Sequence, residues 1–194
     1  DFQFESLQRF GIGRDRLVFC DESSYFDCEQ LYIPLFGSNS LGKGLATWTP
    51  AFLKDSFGTG TRPAADRRLY VSRKHANGRS ILNEESLVLC LQKRGFECVQ
   101  LEGLSITEQA DLFGSASVIL GAHGAGFTNI VFCQPATTII ELYKDHIAPC
   151  YWLTSEVTAL RHAVHYCGSD TSLAPRAGAE GERYHASADE RRLS

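Results

Sequence analysis

Four side chains stand where they could do chemistry: Arg73, Arg79, His123 and Glu141. His123 lies inside GAHGAGFTN (121–129), among Gly121, Gly124 and Gly126, directly after the run SVIL. Glycine permits backbone shapes that residues with a Cβ reach only at a cost. Needed right after a buried strand, it often marks a close approach of the backbone to something else. Either a ligand or a tight strand-to-helix turn would account for that. Backbone N–H groups in such a loop can cradle a pyrophosphate. His123 could donate a hydrogen bond to that pyrophosphate or to a sugar hydroxyl, and it is the one candidate here for proton transfer.

The arginines belong to SRKHANGRSILNE (72–84). A guanidinium suits phosphate because its planar fork makes paired, charge-assisted hydrogen bonds. Arg79 precedes a predicted helix whose N-terminus favours anions, and Asn83 is placed to cap it. The alternative is a solvated basic loop. Glu141 ends the apolar run TII (138–140). Buried there, a carboxylate needs a partner, and a ribose diol could be one; exposed, it is a strand-end charge.

Other chemistries find little footing. G-x-x-G-x-G is not the G-x-G-x-x-G dinucleotide pattern, and no G-x-x-x-x-G-K-[ST] occurs. G-x-S-x-G is absent, so a serine hydrolase is unsupported. No Asp-x-Asp occurs, which removes the carboxylate pair that metal-dependent nucleotide-sugar enzymes often use. No metal site and no cofactor are expected. The seven cysteines form no C-x-x-C, and Cys90, Cys98 and Cys133 look like small core residues. A net charge of −4 gives no basic footprint for nucleic acid. No run approaches the ~18 apolar residues of a membrane span.

These residues need a scaffold, and residues 67–167 supply one by alternating two periods. RRLYVSR (67–73) reads as a strand, EESLVLCLQKRG as a helix ending near Gly95, and ECVQLE (97–102) as a strand. Ser105 and Glu108 form a capping-box pattern that opens the next helix. ASVILGA (116–122) and TTIIELY (137–143) are strands, 149–160 a helix, and HAVHY (162–166) a short last strand. This βαβαβ order predicts an α/β fold, a Rossmann-like doubly wound parallel sheet. Ligands of such sheets sit at the carboxyl ends of the strands, where Arg73, GAHGAG and Glu141 all fall.

Residues 1–66 read as a separate extension: a helix from FESLQRFGI, strands DRLVF (15–19) and QLYIP (30–34), a glycine- and serine-rich loop (36–48), a helix TPAFLKDSF and a linker (56–66). Residues 168–194, rich in Ala, Gly, Ser and charge, are expected to be a disordered tail. The chain begins with Asp1, which is expected of a processed or partial chain.

From RRLYVSR to IIELY, the order and spacing of the SR…R…NE segment, GFECVQLE, LSITEQADLF, GAHGAGFTN and IIELY resemble glycosyltransferase family 61. FGIGRDRLVF and QLYIP resemble the part preceding this core in bacterial members. The resemblance implies an inverting transferase using a nucleotide-sugar donor, of GT-B type, with this chain as the C-terminal donor-binding half and a glycan or protein-linked acceptor. Carried over by position, Arg73, Arg79 and Asn83 fall in the family's basic segment. His123, Gly124, Ala125, Gly126 and Asn129 fall in its glycine loop, and Glu141 in its last strand motif. Family members carry an N-terminal domain with a His-Trp stretch, which neither Trp48 nor Trp152 supplies. The acceptor site and the base are therefore expected outside this chain. The competing expectation is a non-catalytic nucleotide- or glycan-binding domain. The expected location is the cytoplasm for a bacterial protein, or the Golgi or ER lumen for a eukaryotic one.

Overall fold

The structure is a computed structural model that describes residues 2–33, 45–58, 64–74, 81–143 and 148–167. Five parallel strands form one sheet in the order β2-β1-β3-β4-β5. They are β1 (Arg67–Val71), β2 (Phe96–Val99), β3 (Ala116–Ala122), β4 (Thr138–Tyr143) and β5 (Arg161–Tyr166). Helices α3 (Glu84–Gln92), α4 (Ile106–Gly114) and α5 (Cys150–Val157) connect them, with a 3-10 segment Ala125–Phe132 between β3 and β4. The expected doubly wound α/β sheet is what forms.

Strand alternation explains the two layers. Leu69, Val71, Ile119 and Ile139 face one side and pack against Phe113 of α4 and Phe127 and Ile130 of the 3-10 segment. Tyr70, Leu120 and Leu142 face the other and pack with Leu87 and Leu91 of α3. The central strands β1, β3 and β4 thus lose apolar surface on both faces, worth ~25 cal/mol per Å² buried. The helix ends follow local chemistry. Ser105 accepts from the Glu108 N–H while the Glu108 carboxylate accepts from the Ser105 N–H, a closed capping box. Gly95 takes φ +76° just past α3, a left-handed backbone that glycine adopts without strain.

Several local expectations change. Residues 15–19 and 30–33 form no strand; a 3-10 turn, Arg14–Arg16, stands there instead. A strand needs a neighbour for its backbone groups, and this sheet's edges are β2 and β5. Val18, Phe19, Leu31, Tyr32 and Ile33 accordingly remain exposed. α1 (Phe2–Arg9) and α2 (Thr49–Phe57) form as the pattern predicts. α1 is tied to the sheet domain where the Glu5 carboxylate accepts from the Ile106 N–H, at 2.9 Å. Asn83 occupies the position before α3 but makes no capping bond. Its backbone (φ −100°, ψ 31°) lacks the extended shape that aims a cap side chain at the helix. Cys98 is exposed and Cys90 half-buried rather than core; only Cys133 of the three is buried. Residues 168–194 lie outside the described residues, as does most of the 36–48 loop. Among the described residues, no helix is long and apolar enough to cross a membrane.

Candidate active site

In this strand order the chain leaves β1 toward β2 on one side, while β3, β4 and β5 extend on the other. The reversal lies between β1 and β3. A crevice opens outside the carboxyl ends of strands at such a switch point, and ligands of α/β sheets settle there. β1 ends in Val71-Ser72-Arg73 and β3 in Gly121-Ala122-His123-Gly124. Arg73 and the glycine loop, about fifty residues apart in sequence, are therefore brought to one place by parallel pairing of Val71 with Gly121.

The glycines divide by role. A Cβ on Gly121 would lie 2.9 Å from the Val71 carbonyl oxygen and 3.0 Å from a Phe127 ring carbon. A Cβ on Gly126 would lie 2.9 Å from Leu101 Cδ1. Both glycines admit packing from within the protein. Gly124 is different. Its backbone is extended (φ 171°, ψ 170°), a shape open to any residue. A Cβ there would stand 2.6 Å from Arg73 Cζ and overlap Nη1. Gly124 is glycine because the Arg73 guanidinium lies on it.

Arg73 is anchored from behind. Its N–H donates to Glu84 Oε1 at 3.3 Å, and the buried Tyr70 hydroxyl donates to the same oxygen at 2.9 Å. Burial and the Glu84 charge push the Tyr70 phenol well above its ordinary value, so it acts as a fixed donor. Ala125 is exposed at the start of the 3-10 segment. Asn129 turns inward: its amide donates to Gln109 Oε1 at 2.7 Å and to the Gly126 carbonyl at 3.2 Å, tying the loop to α4. Arg79 lies outside the described residues.

His123 is held by its backbone and its ring. Its N–H donates to the Leu142 carbonyl at 3.0 Å, extending the β3–β4 ladder. The ring stacks on Tyr143, centroids 5.0 Å apart, and leans on Tyr151 at 5.2 Å. Nδ1 sits 2.5 Å from Glu141 Oε1. Glu141 is fully buried, and its second oxygen lies 3.1 Å from Nε2 of His162. His162 Nδ1 in turn meets Ser155 Oγ at 2.8 Å. Both carboxylate oxygens are thus taken by imidazoles. Glu141 does not face a ribose diol; it orients His123. Burial works to raise its pKa, but the hydrogen bonds from His123 and His162 outweigh that and hold it below the ordinary carboxylate value. Stripped of those donors, a buried carboxylate would cost several kcal/mol. Burial and the Glu141 charge push the Tyr143 phenol up, and its hydroxyl donates to the Ala148 carbonyl at 2.7 Å.

Sequence reasoning placed Arg73, His123 and Glu141 at strand ends but gave Glu84, Ser155 and His162 no part in the site. His162 pairs in register with Ile139, two residues before Glu141 on the same face of the sheet. A strand reading of 162–166 carried that signal in its alternation. Nothing in the spacing named the partner.

A family model described as Glycosyltransferase 61 matches residues 3–140. The chain is 30% identical over 99 residues to an EGF domain-specific O-linked N-acetylglucosamine transferase of Drosophila melanogaster, covering 50% of this chain and 19% of that protein. It is 34% identical over 121 residues to an alpha-1,3-arabinosyltransferase of Oryza sativa subsp. japonica, covering 58% and 21%. It is 39% identical over 83 residues to a beta-1,2-xylosyltransferase of Arabidopsis thaliana, covering 41% and 16%. The matches span about a fifth of the length of these curated relatives.

Proposed function

This chain belongs to glycosyltransferase family 61, and from that membership we propose that it forms the donor-binding half of an inverting transferase. The donor is a nucleotide sugar and the acceptor a glycan or protein-linked hydroxyl. The relatives' names, as transferases of xylose, arabinose and N-acetylglucosamine, support that class of reaction. We read the chain as the C-terminal half of a GT-B type enzyme, since a Rossmann-like sheet with its cationic group at the switch point suits a donor. Its likeness to bacterial members in FGIGRDRLVF and QLYIP supports a bacterial-type assignment.

The observation that carries the reading is the Arg73 guanidinium seated on Gly124 at the β1–β3 switch point. A fixed cation beside backbone amides, at the place where α/β sheets bind ligands, suits a diphosphate. In the transition state the leaving diphosphate gains charge, and Arg73 stabilises it without reorganising. Arg79, from the same segment, is assigned the same task. We propose that these cations do the work that a divalent ion does in Asp-x-Asp transferases.

Calorimetry with UDP and GDP, with and without EDTA, tests this. The expected result is binding of one nucleotide, unchanged by EDTA. No binding of either nucleotide overturns the donor assignment; binding lost in EDTA overturns the metal-free part.

A further inference from the structure

We propose that Gln109 and Asn129 are positioning residues for the diphosphate site: their side-chain amides clamp the β2–α4 connection to the start of the 3-10 segment and so hold the Gly124 backbone in place against Arg73.

Four contacts close a ring. Gln109, in α4, donates from Nε2 to the Leu104 carbonyl at 3.0 Å and reaches the Leu101 carbonyl at 3.5 Å. Those carbonyls belong to one turn, since the Leu104 N–H donates to the Leu101 carbonyl at 3.2 Å. Gln109 Oε1 accepts from Asn129 Nδ2 at 2.7 Å, and the same Nδ2 donates to the Gly126 carbonyl at 3.2 Å. The Leu101 side chain returns to Gly126, so close that a Cβ there would lie 2.9 Å from Leu101 Cδ1. A polar link and an apolar one thus join the same two connections, one after β2 and the other after β3. The Phe127 N–H donates to the Gly124 carbonyl at 2.9 Å, which carries the hold on Gly126 to its neighbour's bond with Gly124.

The carbonyls decide which way both amides point. A carbonyl only accepts, so the Asn129 nitrogen faces Gly126 and the Gln109 nitrogen faces Leu104. Gln109 Oε1 is then left for the second N–H of Asn129. Turning either amide over sets oxygen against oxygen at a backbone carbonyl and leaves the two side chains mismatched. The ring therefore has one satisfied arrangement, and it is broken when either amide is removed.

Glu84 fixes Arg73 from the β1 side; the amide ring fixes the loop that meets it from the β3 side. A ligand held by groups already in place loses less to ordering them. The link to nucleotide binding rests on the reading of function above; the clamp itself does not.

The test uses Gln109→Met and Asn129→Leu, which keep the bulk of each side chain and remove its amide, and the double variant. Thr137→Val is the control. It removes the buried hydrogen bond from Thr137 Oγ1 to the Ala116 carbonyl, at the amino ends of β3 and β4 and away from both loops. UDP and GDP are titrated by calorimetry into each protein, beside thermal melts. Each single variant is expected to bind nucleotide about tenfold more weakly than wild type. The double variant is expected to bind no worse than the singles, because a ring already broken is not broken again. Thr137→Val is expected to melt earlier yet bind as wild type does. Single variants that bind as wild type, losses that multiply in the double variant, or an equal loss in Thr137→Val overturns the proposal. Backbone hydrogen exchange without nucleotide reads the clamp by itself. Exchange of the Phe127 N–H is expected to quicken about tenfold in Gln109→Met and to stay unchanged in Thr137→Val. An unchanged rate in Gln109→Met overturns the clamp. Should the variants not fold, wild type decides: the side-chain amide protons of Gln109 and Asn129 are expected to exchange more slowly than those of free amides, and exchange at the free rate overturns the clamp. Failure of wild type to bind either nucleotide counts against the donor reading, and hydrogen exchange then decides the clamp alone.

Discussion

The Arg73 guanidinium lies directly against the Cα of Gly124, close enough that a Cβ on that residue would come within 2.6 Å of Arg73 Cζ. The contact joins the ends of two strands that are far apart in sequence. It makes Gly124 a spacer for a cation, and it separates the glycines of the loop into testable classes.

Gly124→Ala is expected to keep the wild-type melting temperature within a few degrees, because its backbone is extended and suits any residue. Nucleotide affinity should fall about tenfold, a change of ~1.4 kcal/mol, as Arg73 is displaced. Gly121→Ala should cost stability instead, about 1–3 kcal/mol, because the new methyl meets a strand carbonyl that cannot move aside. Gly126→Ala should fall between them, since the end of the Leu101 side chain can shift. Thermal melts beside UDP titrations check the order. A Gly124→Ala variant that melts as early as Gly121→Ala would show the loop to be structural only.

Arg73→Ala should weaken nucleotide binding by about 1.5–3 kcal/mol, the range for hydrogen bonds to charged groups. Arg73→Lys should recover part of that, because it keeps the charge but loses the fork. Arg79→Ala and Arg79→Lys belong in the same calorimetric series. Equal binding by wild type and Arg73→Ala would reduce Arg73 to a packing residue.

Tyr70→Phe should destabilise the protein by about 1–2 kcal/mol, since it removes a buried hydroxyl that donates to Glu84. Glu84 also accepts from the Arg73 N–H. The variant should therefore bind nucleotide more weakly than its small loss of stability accounts for. Urea unfolding and UDP titration measured on the same preparation separate the two effects; an unchanged affinity would uncouple Glu84 from the site.

Glu141 predicts a pH dependence of stability. Its folded pKa is lowered from about 4.5. A lowered carboxylate contributes stability that is present above the unfolded value and lost as pH falls through the folded one. Between neutral pH and the acid side of 4.5, wild type should lose more unfolding free energy than Glu141→Gln, which has no carboxylate to protonate. Parallel urea curves at several pH values test it. Identical pH profiles for the two proteins would mean that the histidine donors do not stabilise the charged form.

Much was legible along the chain itself. Alternation in RRLYV and ASVILGA, the Ser105–Glu108 box and Gly95 fixed strands, caps and a helix end, because these depend on neighbours within a few residues. From them followed the parallel sheet, and from the sheet the placement of Arg73 and His123 at carboxyl strand ends. Sequence also overreached at 15–19 and 30–33: strand-like composition is not a strand without an edge to pair with. Only the tertiary structure decided that Gly124 supports Arg73, that Glu84 backs it, and that Glu141 serves two histidines from the interior. Those relationships cross between β1 and β3, between β1 and α3, and between β4 and β5. They arise from strand order and register, which side-chain spacing within one segment does not encode.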